Sequence, residues 1–152
     1  MQIPLVNAHT HAAMVKFRGQ AEDLPLFEWL QEHIWPAEAK EVNTEMVYEQ
    51  TKKAIKEMQA NKIAAFCDMY FFAKDIAKAA KELKMPAVIS ESLIDFPTPS
   101  TKSPEQSLEI TEKLAKKYQN DTLIKISVAP HSIYSVSEKY LIQAKELAKK
   151  YD

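Results

Sequence analysis

A parallel α/β fold is expected from three features of the 152-residue sequence. Short β-rich runs alternate with amphipathic helical stripes, strand then helix, four times along the chain. One helix between successive strands forces parallel pairing through right-handed crossovers. With 46% hydrophobic and 27% charged residues, the chain can bury one core.

The elements follow in order. Residues 3–8 (IPLVNA) form the first strand, followed by an aromatic-rich segment, LPLFEWLQEHIW. A helix begins near Asn43 or Thr44 and places Met46, Val47, Gln50, Ala54, Ile55 and Met58 on one face. Residues 63–70 (IAAFCDMY) are the second strand and residues 73–83 the next helix, with Ile76, Ala77, Ala80 and Leu83 in register. Residues 86–93 (PAVISESL) are the third strand, followed by the loop DFPTPSTKSP and a helix with Pro104 in its first turn. Residues 123–128 are the fourth strand, and Pro130 is expected to end it, because proline has no N–H for a central ladder. Tyr140, Leu141, Ala144, Leu147, Ala148 and Tyr151 stripe the last helix.

Gly19 is the single glycine beside eight prolines. Glycine-rich phosphate loops and the G-x-S-x-G elbow are therefore excluded. Helix ends that need a left-handed residue are expected to use Asn61 and Asn120. A formal charge of −1 gives no global attraction to nucleic acid or anionic membrane, and the Lys52-Lys53 and Lys116-Lys117 runs have no interleaved aromatics. Cys67 is the lone cysteine and reads as a small core residue. No window approaches 18 apolar residues, and the N-terminus lacks a signal-peptide pattern, so a cytoplasmic protein without a membrane span is expected.

His9-Thr10-His11 stands where the first strand ends. Residues two apart on a strand share a face, so both imidazoles can converge on a metal ion; the alternative is a pair of surface or hydrogen-bonded histidines. His131, in VAPHSIYSVS at the end of the fourth strand, reads equally as a turn-capping or a functional residue. A strand's C-terminal end is where α/β enzymes build their sites, and three of the four histidines fall there. His33, inside the aromatic helix, reads as structural. Trp29, with Phe27, Leu30 and Trp35, reads as part of a packed rim helix, Glu38 as a solvated charge, and Asp68 as a strand-end hydrogen-bonding residue.

The segments NAHTHAAM, RGQAEDLPLFEWL, CDMY and APHSIYSVSEKYL, in this order, resemble the amidohydrolase superfamily. The nearest branch is that of the methylthioadenosine/S-adenosylhomocysteine deaminases, chlorohydrolases and related base deaminases. The resemblance spans essentially the whole chain. It implies a (β/α)8 barrel, a divalent metal such as zinc, and attack of metal-bound hydroxide on an aminated or halogenated purine or related ring. It also implies that His9 and His11 are the two first-strand metal ligands. In the same way His131 contacts substrate near the reacting centre, Trp29 lines the nucleoside pocket and Glu38 holds ribose hydroxyls.

A whole barrel takes about 250 residues, so residues 1–152 are expected to form one (βα)4 half of a TIM-type barrel, with a long helix-bearing rim loop over about residues 12–42. The family's histidine ligand and glutamate on the fifth strand, its histidine on the sixth and its aspartate on the eighth have no counterpart here. The chain is therefore expected to be incomplete and inactive alone, completed by a C-terminal half barrel or by a second copy of itself; a non-catalytic, self-associating half barrel is the alternative. Glu91 stands where the adenosylhomocysteine branch carries a basic residue, and an acid there is expected to repel an amino-acid carboxylate.

Overall fold

The computed structural model describes residues 4–21 and 23–151; Ile3, expected in the first strand, lies outside the described residues. Strand β1 (Leu5–Thr10) is followed by a 3-10 helix (Ala12–Phe17) and by a rim segment of three joined parts: α1 (Leu26–Glu28), a π-helix (Trp29–Ile34) and α2 (Trp35–Glu41). Next come α3 (Thr44–Ala60), β2 (Ile63–Tyr70), α4 (Ala73–Glu82), β3 (Ala87–Leu93), α5 (Pro104–Tyr118), β4 (Ile124–Ile126), β5 (Ala129–Pro130) and α6 (Glu138–Lys150). The sheet runs β1-β2-β3-β4, with β5 also on β3, and every pair is parallel. Four parallel strands with helices on one side are half of a TIM-type barrel. Among the described residues no helix is long and apolar enough to cross a membrane.

Local chemistry sets the helix starts. The Asn43 side chain accepts the Met46 N–H at 3.0 Å and opens α3. Ser103 accepts the Gln106 N–H at the start of α5, where Pro104 occupies the first turn. The helix ends differ from expectation. Asn61 keeps φ at −93° and uses its side-chain N–H₂ to cap the Glu57 carbonyl, while the left-handed residue is the next one, Lys62. Asn120 is not left-handed either, whereas Lys84 is, after α4. An unbranched lysine bears the cost of about 1 kcal/mol where its long side chain still reaches solvent.

Phe66, Ile89 and Ile124 point from the strands into a core completed by Val47, Ile55, Ile76, Ala77 and Leu114 of the helices. Burial of each large side chain contributes about 1.5–3 kcal/mol. On the opposite face, Val6 pairs with Ala65 and Cys67 with Val88. Among the described residues no helix covers that face: Val6 is 65% exposed and Val88 36%. Cys67 is accordingly half-buried on the uncovered face, not a core residue.

Pairing with β3 continues through Pro130: Ala129 and Pro130 lie beside Ser92 and Leu93, and the His131 N–H donates to the Leu93 carbonyl at 3.1 Å. In a parallel ladder alternate residues face a given neighbour. The missing N–H of Pro130 therefore falls on the open edge, where proline is tolerated.

Candidate functional site

The site is built at the C-terminal ends of the strands. Thr10 pairs with Asp68 of β2, and a bulge between Asn7 and Thr10 inserts one extra residue into β1. The bulge reverses the alternation, so Thr10 faces the helices while its neighbours His9 and His11 face the uncovered side. The two imidazoles lie edge to face, 5.1 Å between centroids. His11 Nδ1 sits 2.6 Å from the Met69 carbonyl oxygen, which can only accept; Nδ1 therefore carries a proton, and the neutral ring is held in the tautomer whose Nε2 keeps its lone pair.

Asp68, fully buried, anchors this corner: its Oδ1 accepts from the Thr10 hydroxyl at 2.5 Å and from the Ala12 N–H at 2.6 Å. Its Oδ2 is buried and, among the described residues, has no hydrogen-bond partner. Burial pushes the Asp68 carboxyl up to about 6, against the hydrogen bonds from Thr10 and Ala12, which favour the anion. A carboxyl raised in the folded state holds its proton where the unfolded chain has released it. Its contribution to stability is thus full below about pH 4 and is lost as pH rises through 6, a fall of about 3 kcal/mol. Asp68→Asn retains the Oδ1 acceptor and should remove this fall. Urea titrations of the metal-free protein at several pH values check it, and an unchanged pH slope in the variant would refute it.

Glu38 is 7% exposed, not the solvated charge expected of it. Its Oε1 accepts from the Tyr70 hydroxyl at 2.7 Å. Burial raises its carboxyl above the usual range, partly offset by that hydrogen bond and by the field of His11. Tyr70 ends β2 with its ring 6.4 Å from that of His11, so one contact chain runs from Glu38 through Tyr70 to His11. Trp29 opens the π-helix, donates its indole N–H to the Gln20 carbonyl at 3.2 Å, and lines a cavity of about 890 Å³ together with Thr10, His11 and Met14. His33 is exposed on the same π-helix. Phe27 meets Tyr134 at 6.3 Å and Trp35 meets Phe96 at 6.1 Å, tying the rim helices to the loops after β5 and β3.

His131 follows β5, and burial lowers its pKa, with the neighbouring His11 ring acting in the same direction. Its Nδ1 lies 2.8 Å from the Ser135 hydroxyl. The structure thus brings His9 and His11 together, links Glu38 to His11 through Tyr70, leaves His131 within the field of His11 and opens Trp29 onto the cavity that His11 also lines. Sequence reasoning missed Tyr70 and Ser135; a tyrosine ending a strand beside a histidine-bearing strand, and a serine four residues after His131, were the available signals.

Glu91 is the clearest correction. It is 1% exposed, and its carboxylate accepts the Ala73 N–H at 2.8 Å and the Ser100 hydroxyl. Phe72, left-handed at φ 56°, turns the backbone so that the first N–H groups of α4 face this carboxylate. Glu91 is a helix cap and presents no charge to a ligand.

The donor set bears on metal binding. Two neutral imidazole nitrogens suit zinc, and a catalytic zinc site takes about three protein ligands. Among the described residues no group of three or more His, Cys, Asp or Glu side chains is gathered to hold an ion, so His9 and His11 supply a compatible but partial set.

Residues 4–152 match the model of the amidohydrolase family. A 5-methylthioadenosine/S-adenosylhomocysteine deaminase of Thermodesulfovibrio yellowstonii is 49% identical over 145 residues, covering 95% of this chain and 33% of its own length. A 5'-deoxyadenosine deaminase of Methanocaldococcus jannaschii is 42% identical over 154 residues, covering 97% of this chain and 35% of its own. The crystal structure of an adenosine deaminase from Xanthomonas campestris with bound zinc matches with a TM-score of 0.96 at 38% identity, over 98% of this chain and 34% of that one. The chain spans about a third of the length of these relatives. Since the family match begins one residue before β1 and runs on past α6, the chain belongs to the amidohydrolase family.

Proposed function

We propose that this chain is the metal-holding N-terminal half of an amidohydrolase that deaminates a purine nucleoside or a related aminated ring. The observation that carries the reading is the pair of imidazoles at the end of β1, 5.1 Å apart, with His11 oriented by the Met69 carbonyl. His9 and His11 are two of the ligands to a divalent metal, zinc by donor chemistry. Bound there, zinc supplies Lewis acidity and acidifies water for attack on the ring carbon that bears the amino group.

The chain's own residues do the rest of this half's work. Trp29 offers an aromatic wall to the base, and its indole N–H bond to Gln20 fixes the ring. Glu38 accepts hydrogen bonds from sugar hydroxyls while Tyr70 holds its other face. His131, which follows β5 and lies within the field of His11, contacts the substrate near the reacting carbon. The names of the relatives support a nucleoside substrate.

The uncovered face at Val6 and Val88 favours a second half of the barrel, contributed by a C-terminal region or by another copy, over a chain that stays alone. The test is deamination of purine nucleosides by the full-length protein, followed as ammonia release. Glu38→Gln should raise KM about tenfold, one charge-assisted hydrogen bond, with kcat little changed. No ammonia release from any purine nucleoside by the zinc-loaded protein would overturn the deaminase reading. A monomeric mass for the 152-residue chain in sedimentation would dispose of the second copy as the partner.

A further inference from the structure

Resting on the reading of His131 as a substrate-facing group, we propose that Ser135 is a positioning residue for His131, and that Ser132 completes a two-hydroxyl chain letting the ring exchange tautomers in place. The three groups form one line: His131 Nδ1 to Ser135 Oγ is 2.8 Å, and Ser135 Oγ to Ser132 Oγ is 2.6 Å.

The backbone holds this line rigidly. The His131 N–H is bonded to the Leu93 carbonyl of β3, and the Ser135 carbonyl accepts the Asp95 N–H at 2.9 Å. The Asp95 carboxylate in turn accepts the Ser137 N–H at 2.9 Å. Both ends of the turn are thus tied to the segment leaving β3. Ser135 is 8% exposed and the adjacent Val136 4%, so the Ser135 hydroxyl has little room to leave the ring. Tyr134 packs edge to face against His131, at 86° and 6.4 Å, and limits rotation of the ring from the other side.

Hydrogen counting gives the chain its property. A hydroxyl donates once and accepts twice, and a neutral imidazole has one donor and one acceptor nitrogen. In one arrangement Ser132 donates to Ser135 and Ser135 donates to Nδ1, which leaves Nε2–H as a donor toward the substrate. In the other, Nδ1–H donates to Ser135, Ser135 donates to Ser132, and Nε2 presents its lone pair. Ser132, only partly buried, then turns its own hydrogen to solvent. Neither arrangement leaves a buried donor unpaired. Passing between them rotates two hydroxyls and moves one proton between the ring nitrogens by exchange with solvent, so the net proton count is unchanged. A carbonyl acceptor of the kind that holds His11 enforces one tautomer; this hydroxyl pair enforces a position and leaves the tautomer free.

The test is the ring-nitrogen NMR of His131 in the 152-residue chain at about pH 8, where the ring is neutral. The wild-type nitrogens should show intermediate shifts from two exchanging tautomers. Ser132→Ala removes one hydrogen bond from each arrangement but leaves the buried Ser135 hydrogen without an acceptor only in the Nδ1–H one, and should therefore shift the ratio at least about fivefold toward Nε2–H, the low end of the cost of an unpaired buried donor. Ser135→Thr should keep the wild-type spectrum. Ser135→Ala should change it and make a further Ser132→Ala silent. Unchanged ring shifts in Ser132→Ala overturn the proposal, as does a folded Ser135→Ala chain with wild-type shifts. Should Ser135→Ala fail to fold, Ser132→Ala and Ser135→Thr still decide. The readout needs no turnover, so a failure of the deaminase reading shows in the ammonia assay and a failure of this one in the spectrum.

Discussion

Glu91→Arg is expected to unfold the chain or bring it to the edge of unfolding, at a cost of about 3–5 kcal/mol. The reason is local. Glu91 is 1% exposed and its carboxylate takes the first N–H of α4 and the Ser100 hydroxyl. Arginine removes both acceptors and brings a cation to the positive end of a helix dipole, inside the protein. A domain of ordinary stability, about 5–15 kcal/mol, has little margin for that loss. Glu91→Gln keeps one acceptor oxygen and should cost only about 1–2 kcal/mol. Urea unfolding midpoints of the two variants check the order. If Glu91→Arg kept the wild-type midpoint and gained affinity for a nucleoside carrying a free carboxylate, Glu91 would have to face the ligand, and its assignment as a helix cap would fall.

His9→Ala and His11→Ala carry the largest expected effect on activity. Each removes one imidazole of the pair at the β1 end, and Lewis-acid stabilisation is worth several kcal/mol, so the full-length protein should lose at least about 10³-fold in kcat. Bound zinc, measured by mass spectrometry on protein purified without chelator, should fall in parallel. Stability should change little for His9→Ala, because that side chain is exposed. His33→Ala is the control: exposed on the π-helix, it should leave both zinc and rate unaltered. Wild-type zinc content in His9→Ala and His11→Ala would place the metal elsewhere.

Much of the fold was legible because hydrophobic period and caps act over a few residues. The run IAAFCDMY is β2 to the residue, and Asn43 and the Ser103-Pro104 pair mark where α3 and α5 start. The H-x-H pair was legible for the same reason, since two positions on one strand share a face whatever surrounds them. The bulge in β1 was not. From Val6, strict alternation assigns Ala8 and Thr10 to the uncovered face, and only pairing with β2 shows the extra residue that turns His9 and His11 there instead.

Charge was the least legible property. Glu38 read as a solvated charge and Glu91 as an acid facing the ligand because nothing adjacent in sequence pairs with them. Their partners are Tyr70, Ala73 and Ser100, between 9 and 32 residues away. Burial and hydrogen bonding are set by what the chain brings together, and a carboxylate is stable in the interior only where donors converge on it.

The sequence by itself determined the alternation of strands and helices, the parallel class and the pair of imidazoles, since each depends on neighbours within a turn or a strand. The tertiary structure decided which face those imidazoles take, which carboxylates are buried and which lysines bend backward at the helix ends. Those depend on register and packing between segments tens of residues apart.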